Sequence, residues 1–206
     1  SANVQYVDPT PQRKGRPDDI AFRSMPAHAQ TNYAAALEKM STLGIPATFG
    51  EIAKNEWARA LQEWVKFGQH QFESPNQIER NGKLVSDWIR IDDATTEKYT
   101  SDTMTDNEKF WADRWASQMN YPYWKQRCEA EMQQKGVEAR QLFYEGTIAY
   151  KSGDFPDAAA KFKEGLLTWN ENLKQFPIFS QDDLIKKDTG LILKRYERVL
   201  QQQNEK

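Results

Sequence analysis

Apolar positions along most of this chain recur every three to four residues, the period of a helix that buries one face. In AHAQTNYAAALEKMSTL, from Ala27 to Leu43, this spacing puts Tyr33, Ala36, Leu37 and Met40 on one side, and Gly44 with Pro46 ends the helix. In TFGEIAKNEWARALQEWVKFGQHQF, from Thr48 to Phe72, the stripe is Phe49, Ile52, Ala53, Trp57, Ala60, Leu61, Trp64, Val65 and Phe72. Lys54, Arg59, Glu63 and Lys66 fall on its wet face, and Thr48 with Glu51 has the spacing of a capping box.

The period breaks between Glu73 and Thr105. SPNQIERNGK is rich in turn formers, LVSDWIRID reads as a short helix or a strand, and DDATTEKYTSDTMTDN is polar throughout. Helical spacing returns at DNEKFWADRWASQM, opened by Thr105 and Glu108 as a second capping box, and continues in YPYWKQRCEAEMQQK, with Pro122 in a first turn. VEARQLFYEGTIAYK then stops at Ser152-Gly153-Asp154, and FPDAAAKFKEGLLTWNENLKQF starts with Pro156 near its first turn. The final helix, SQDDLIKKDTGLILKRYERVL, carries Leu184, Ile185, Leu191, Ile192, Tyr196, Val199 and Leu200 on its stripe, with Ser180 and Asp183 at its start. Ser1 to Asp18 holds Pro9, Pro11, Gly15 and Pro17 with little apolar periodicity, so 1–18 reads as a tether and 19–206 as one all-α domain.

Composition supports a core built on large rings. Of 206 residues, 38% are apolar and 12% aromatic, including seven Trp, which is enough to bury a core without metal or disulfide. A formal net charge of −2 with interspersed signs gives no basic stripe for a phosphate backbone, which argues against nucleic acid. No apolar run is long enough to span a bilayer. The chain begins SANVQYVDP without a Met, from which a signal peptide or membrane anchor preceding residue 1 is expected.

Across the Ser152-Gly153-Asp154 turn, Gly146, Ala149, Tyr150, Gly153, Asp154, Phe155, Ala158, Phe162, Gly165 and Leu166 follow the spacing of a tetratricopeptide repeat, and 137–176 resembles one such unit. Gly146 and Ala158 are small where two helices approach, while Phe155 and Phe162 fill the groove between them. Three positions depart from the family. Leu142 stands where an aromatic is usual, Gly165 replaces Ala, and Asn170 replaces the proline that ends the repeat, so the second helix is expected to run on. The segment over 180–203 resembles the solvating helix that closes such arrays. The resemblance implies an all-α helical-hairpin array with one repeat-like unit and a closing helix. It also implies contact with a protein or peptide, with Arg140, Tyr144 and Lys151 as the candidate partner-binding residues on the first helix of the hairpin. More loosely, YWKQRCEAE, the hairpin and LILKRYERVL together resemble envelope-associated helical proteins of planctomycete-type bacteria, in which a membrane anchor precedes such a domain. That implies the periplasmic side of a cell envelope rather than the cytoplasm.

Candidate chemistry is sparse. His28 and His70 sit on different helices without a second ligand one turn away, and the single Cys128 excludes a disulfide within the chain and a multi-cysteine zinc site. Asp18-Asp19, Asp92-Asp93 and Asp182-Asp183 lie at helix starts or in polar loops, where a carboxylate faces free N–H groups. The common nucleotide, acyl-transfer and zinc-hydrolase motifs are absent, so no catalytic, cofactor or metal residue is assigned. FWADRWASQMNYPYWKQR crowds Trp111, Trp115, Tyr121, Tyr123 and Trp124 into two helices, either a helix–helix core or a stacking platform for sugars. Buried, inert packing is the reading for Cys128.

The expected function is therefore a non-catalytic protein–protein interaction or scaffold module. Two alternatives stand beside it: a glycan or cell-wall binding module using the aromatic cluster, and an all-α enzyme that gathers His28, His70, Glu56 or Cys128 from separate helices. The first alternative requires several of those rings on one exposed surface. The second requires its polar groups within hydrogen-bond reach of one another.

Overall fold

A computed structural model describes residues 17–41, 50–80, 83–92 and 106–204. The expected tether up to residue 16, the capping residues Thr48 and Thr105, Phe49 and the polar segment from Asp93 lie outside them. The protein is all-α: among the described residues there are eight helices and one two-stranded sheet. The order is α1 (Pro17–Ser41), α2 (Glu51–Gln69), β1 (Phe72–Arg80), β2 (Lys83–Ile89), α3 (Asp106–Gln118), α4 (Tyr121–Glu131), α5 (Gln134–Ser152), α6 (Phe155–Leu173), α7 (Pro177–Ser180) and α8 (Asp183–Asn204). The chain gathers into two compact units, one of Ser1–Pro26 and Trp64–Tyr121, the other of Ala27–Glu63 and Pro122–Lys206.

In the first unit the core is aromatic. Trp64 and Phe67 of α2, Phe72 of β1, Trp115 of α3 and Tyr121 are all buried, with ring centroids 5.4 to 6.1 Å apart in edge-on or tilted pairs. These orientations set ring edges against the negative faces of neighbouring rings. Phe72, expected at the end of the second helix, instead opens the antiparallel β1–β2 hairpin, in which Phe72 pairs with Ile89 and Arg80 with Lys83. Within the irregular middle of the sequence, the described residues up to Ile89 thus form two strands, with a register shift between Glu73 and Gln77. Tyr121 Oη donates to Asp92 Oδ1 at 2.5 Å, which satisfies the one polar atom of an otherwise buried ring.

The second unit is built on close helix approach. α5 and α6 form an antiparallel hairpin whose turn has Gly153 at φ 81°, a left-handed conformation that glycine adopts without a Cβ clash. Asp154 Oδ1 then accepts from the Asp157 N–H at 3.2 Å, and Pro156 occupies the first turn of α6. α6 continues past Asn170 to Leu173. A Cβ at Gly165 would lie 2.8 Å from the Phe143 ring and 3.1 Å from Leu142 Cβ. The ring at 143 and the glycine at 165 are therefore one packing solution, the glycine making room for the ring.

α8 runs antiparallel to α6, because Trp169 Nε1 donates to Thr189 Oγ1 at 3.2 Å while Ala158 and Phe162 pack with Val199 and Tyr196. It is consequently parallel to α5. Two helix faces differ from the sequence reading. On α1 the buried seam is Ile20, Ser24, Ala27, Thr31 and Ala34, and the helix starts at Pro17 rather than Ala27; Tyr33, Ala36 and Met40 are exposed. The Ser24 and Thr31 hydroxyls of that seam donate to the carbonyls of Ala21 and Ala27, so their burial leaves no unmet donor. On α8, Ile185 and Val199 are buried, with Ile192 and Tyr196 partly so, whereas Leu184, Leu191 and Leu200 are exposed. Ile52 of α2 is exposed as well. The start of α8 is capped by Asp182, whose Oδ1 accepts from the Leu184 N–H at 2.9 Å; Ser180 Oγ donates instead to the Pro177 carbonyl at 3.0 Å.

Candidate functional site

The face of α5 turned away from α6 repeats at Val137, Arg140, Tyr144, Thr147, Ile148 and Lys151, the three-four spacing of one helical side. All six line a cavity of about 790 Å3, and the other walls come from Ala53, Lys54 and Trp57 of α2, Trp169 of α6, and Ile185, Asp188, Leu191, Ile192 and Arg195 of α8. The volume lies within the range of small-molecule and peptide side-chain sites.

Its floor is an ion triad. The Arg140 guanidinium makes a two-pronged bond to Glu131, with Nε to Oε2 at 2.9 Å and Nη2 to Oε1, and its Nη1 lies 2.7 Å from Glu38 Oε1. Trp57 Nε1 donates to Glu38 Oε2 at 3.1 Å, and the guanidinium carbon stands 4.9 Å from the Trp169 ring centre. The fork of Arg matches two carboxylates and an aromatic face at once, which a Lys could not do. Burial would lower the Arg140 pKa, but Glu131 and Glu38 outweigh it and hold the guanidinium charged well past its ordinary range. Burial pushes the Glu38 carboxyl up to about 7, against the opposing pull of Arg140 and with a further push from Glu131. The triad thus holds two acids against one cation in a poorly solvated place.

Along the cavity the lining changes character. Beyond the triad come Tyr144, Thr147, Ile148, Leu191 and Ile192, and then Lys151 and Arg195, both exposed and without an ion pair among the described residues. Lys54, also in the lining, donates to Gln134 Oε1 at 2.8 Å.

The structure brings together all three residues expected to meet a partner, Arg140, Tyr144 and Lys151, although Arg140 is committed to its carboxylates and serves as floor. The sequence reading missed Glu38, Trp57, Glu131 and Trp169, whose convergence comes from four different helices, and the α8 wall. Only the α5 wall carried a signal, the regular spacing of its residues.

The other candidates lie elsewhere. The five rings of the proposed platform do not share an exposed face: Trp115 and Tyr121 are buried in the first unit, and Tyr123 is buried in the second, packed 5.0 Å from the Trp124 ring and 5.9 Å from Phe179. Trp111 and Trp124 are half-buried. Their density reflects core packing of two separate units. His28 meets Trp124 edge-on at 5.4 Å, and burial lowers its pKa; His70 packs against Phe72 at 4.8 Å in the first unit. Burial pushes the Cys128 thiol up to about 12, partly offset by a hydrogen bond with Thr31, so it is a protonated core residue. Glu56 accepts from Gln30 Nε2 and pairs with Arg59, both at 2.6 Å. Among the described residues no group of three or more His, Cys, Asp or Glu is placed to hold a metal ion, and no helix is long and apolar enough to cross a membrane. No protein-family model, no curated protein and no solved structure matches the chain.

Proposed function

We propose that this chain is a non-catalytic interaction module that holds a segment of another protein in the cavity between α2, α5 and α8. One observation carries the reading: a face of α5, from Arg140 to Lys151, lines a concave space. The tetratricopeptide-like spacing of the α5–α6 hairpin favours the same use, since that family offers the equivalent helix to partners. The titratable groups at the floor point the same way, because they are tied to one another in a structural triad. An unengaged acid–base pair would favour catalysis.

The test is site-specific photo-crosslinking in cells that make the protein. A photoreactive amino acid at Leu191, exposed within the cavity, should give a discrete product with one partner. The same group at Leu167, exposed on α6 outside the cavity, should give none. Identical products from both positions, or none from Leu191 in well-expressed protein, would sink the reading.

A further inference from the structure

Charge is sorted along the cavity. Its inner end holds three carboxylates, Glu38, Glu131 and Asp188, against Arg140 and the Gln134-bound Lys54, while Lys151 and Arg195 stand at the other end with no acid in the lining beside them. Because α5 and α8 run in the same direction, the sorting is coherent across both walls: Asp188 acts electrostatically on Arg140, and Arg195 lies further along α8 as Lys151 lies further along α5. Between the two ends the lining is apolar, with Ile148, Leu191 and Ile192. From Arg140 to Lys151 α5 rises roughly 16 Å, and from Asp188 to Arg195 α8 rises roughly 10 Å. An extended chain covers such a span in about three to five residues.

Resting on the reading of the cavity as a segment-binding groove, we propose that its occupant is a dipolar polypeptide segment: one Lys or Arg seated at Asp188, apolar side chains against Ile148 and Leu191, and one Asp or Glu at Lys151 and Arg195. Complementary charges at both ends fix the register of the bound segment, and a segment of one sign meets repulsion at one end or the other. The cations at the outer end need no desolvation from existing partners before they receive the acid.

A displayed library of random linear peptides, panned against the whole chain, tests this directly. The selected peptides should carry a basic and an acidic residue about three to five positions apart with apolar residues between them. Replacing the peptide's acid by its amide should weaken binding about tenfold on the wild-type chain, and have little effect on the double variant Lys151→Glu, Arg195→Glu, whose exposed positions leave the fold intact. Selected peptides that lack this spacing, or that lose equally on both proteins, would overturn the dipolar occupant and leave the groove reading standing. Failure to enrich any peptide, or selected peptides whose binding is unchanged by Leu191→Arg, would overturn both.

Discussion

The two units solve the burial problem in different ways. The first fills its core with rings from α2, β1 and α3 that touch edge to face, so stability there scales with aromatic area. The second relies on glycine and alanine to bring helix backbones close, and at one place admits an arginine and two glutamates instead of hydrocarbon. A ring core closes on itself. A close-packed helix pair leaves its outer faces free, and in the second unit one such face became the wall of a cavity.

Substitution separates these two solutions. Trp115→Ala and Arg140→Met should each cost about 3 to 5 kcal/mol in urea unfolding, the first by opening a cavity and the second by stranding the buried Glu131 and the half-buried Glu38. They should differ in rescue. Adding Glu38→Gln and Glu131→Gln should restore most of the loss in the arginine variant, whereas no charge change should help the tryptophan variant. Equal failure of rescue would mean that the triad acts through shape alone.

A smaller effect concerns pH. Glu38 has its folded pKa raised from 4.5 to about 7, so between those values the folded chain keeps a proton that the unfolded chain has released. Its contribution is therefore most favourable below about 4.5 and declines as pH rises to about 7, by roughly 1 to 3 kcal/mol in all. Unfolding measured from pH 5 to 8 should show this decline in the wild type and a flatter profile in Glu38→Gln; parallel profiles would exclude the assignment.

The smallest effect tests the packing of the hairpin. Gly165→Ala should destabilise by about 1 to 2 kcal/mol, because the new methyl meets the Phe143 ring, less the gain in helix propensity. In the background of Phe143→Leu the same change should cost nothing or stabilise. Additive effects in thermal unfolding would show that the two positions are independent.

Much of this architecture was legible because its signals are local. Gly153, Asp154 and Pro156 specify a turn, a cap and a first turn within four residues, and both hairpin helices follow from them. The faces of α1 and α8 were not legible in the same way. Each carries two apolar stripes, and which one is buried depends on the neighbours the fold supplies, which helical periodicity does not encode. The strands were within reach: Asn81-Gly82 is a turn dipeptide suited to a two-residue hairpin, and the helical period breaks around it. At the site, the α5 face was visible as a repeat, but nothing in the sequence links Glu38, Glu131 and Trp169, which meet only in three dimensions.

One pair of modest bonds has a wider reach. Gln126 Oε1 accepts from the N–H groups of both Ile178 and Phe179, at 2.8 and 3.2 Å, so the start of α7 is held by a side chain on α4. Those two amides exchange their hydrogens with solvent when this link opens, whether α7 frays, α4 loosens or the glutamine turns away. They form an internal gauge, and their exchange rates report how firmly two segments more than fifty residues apart along the chain stay joined.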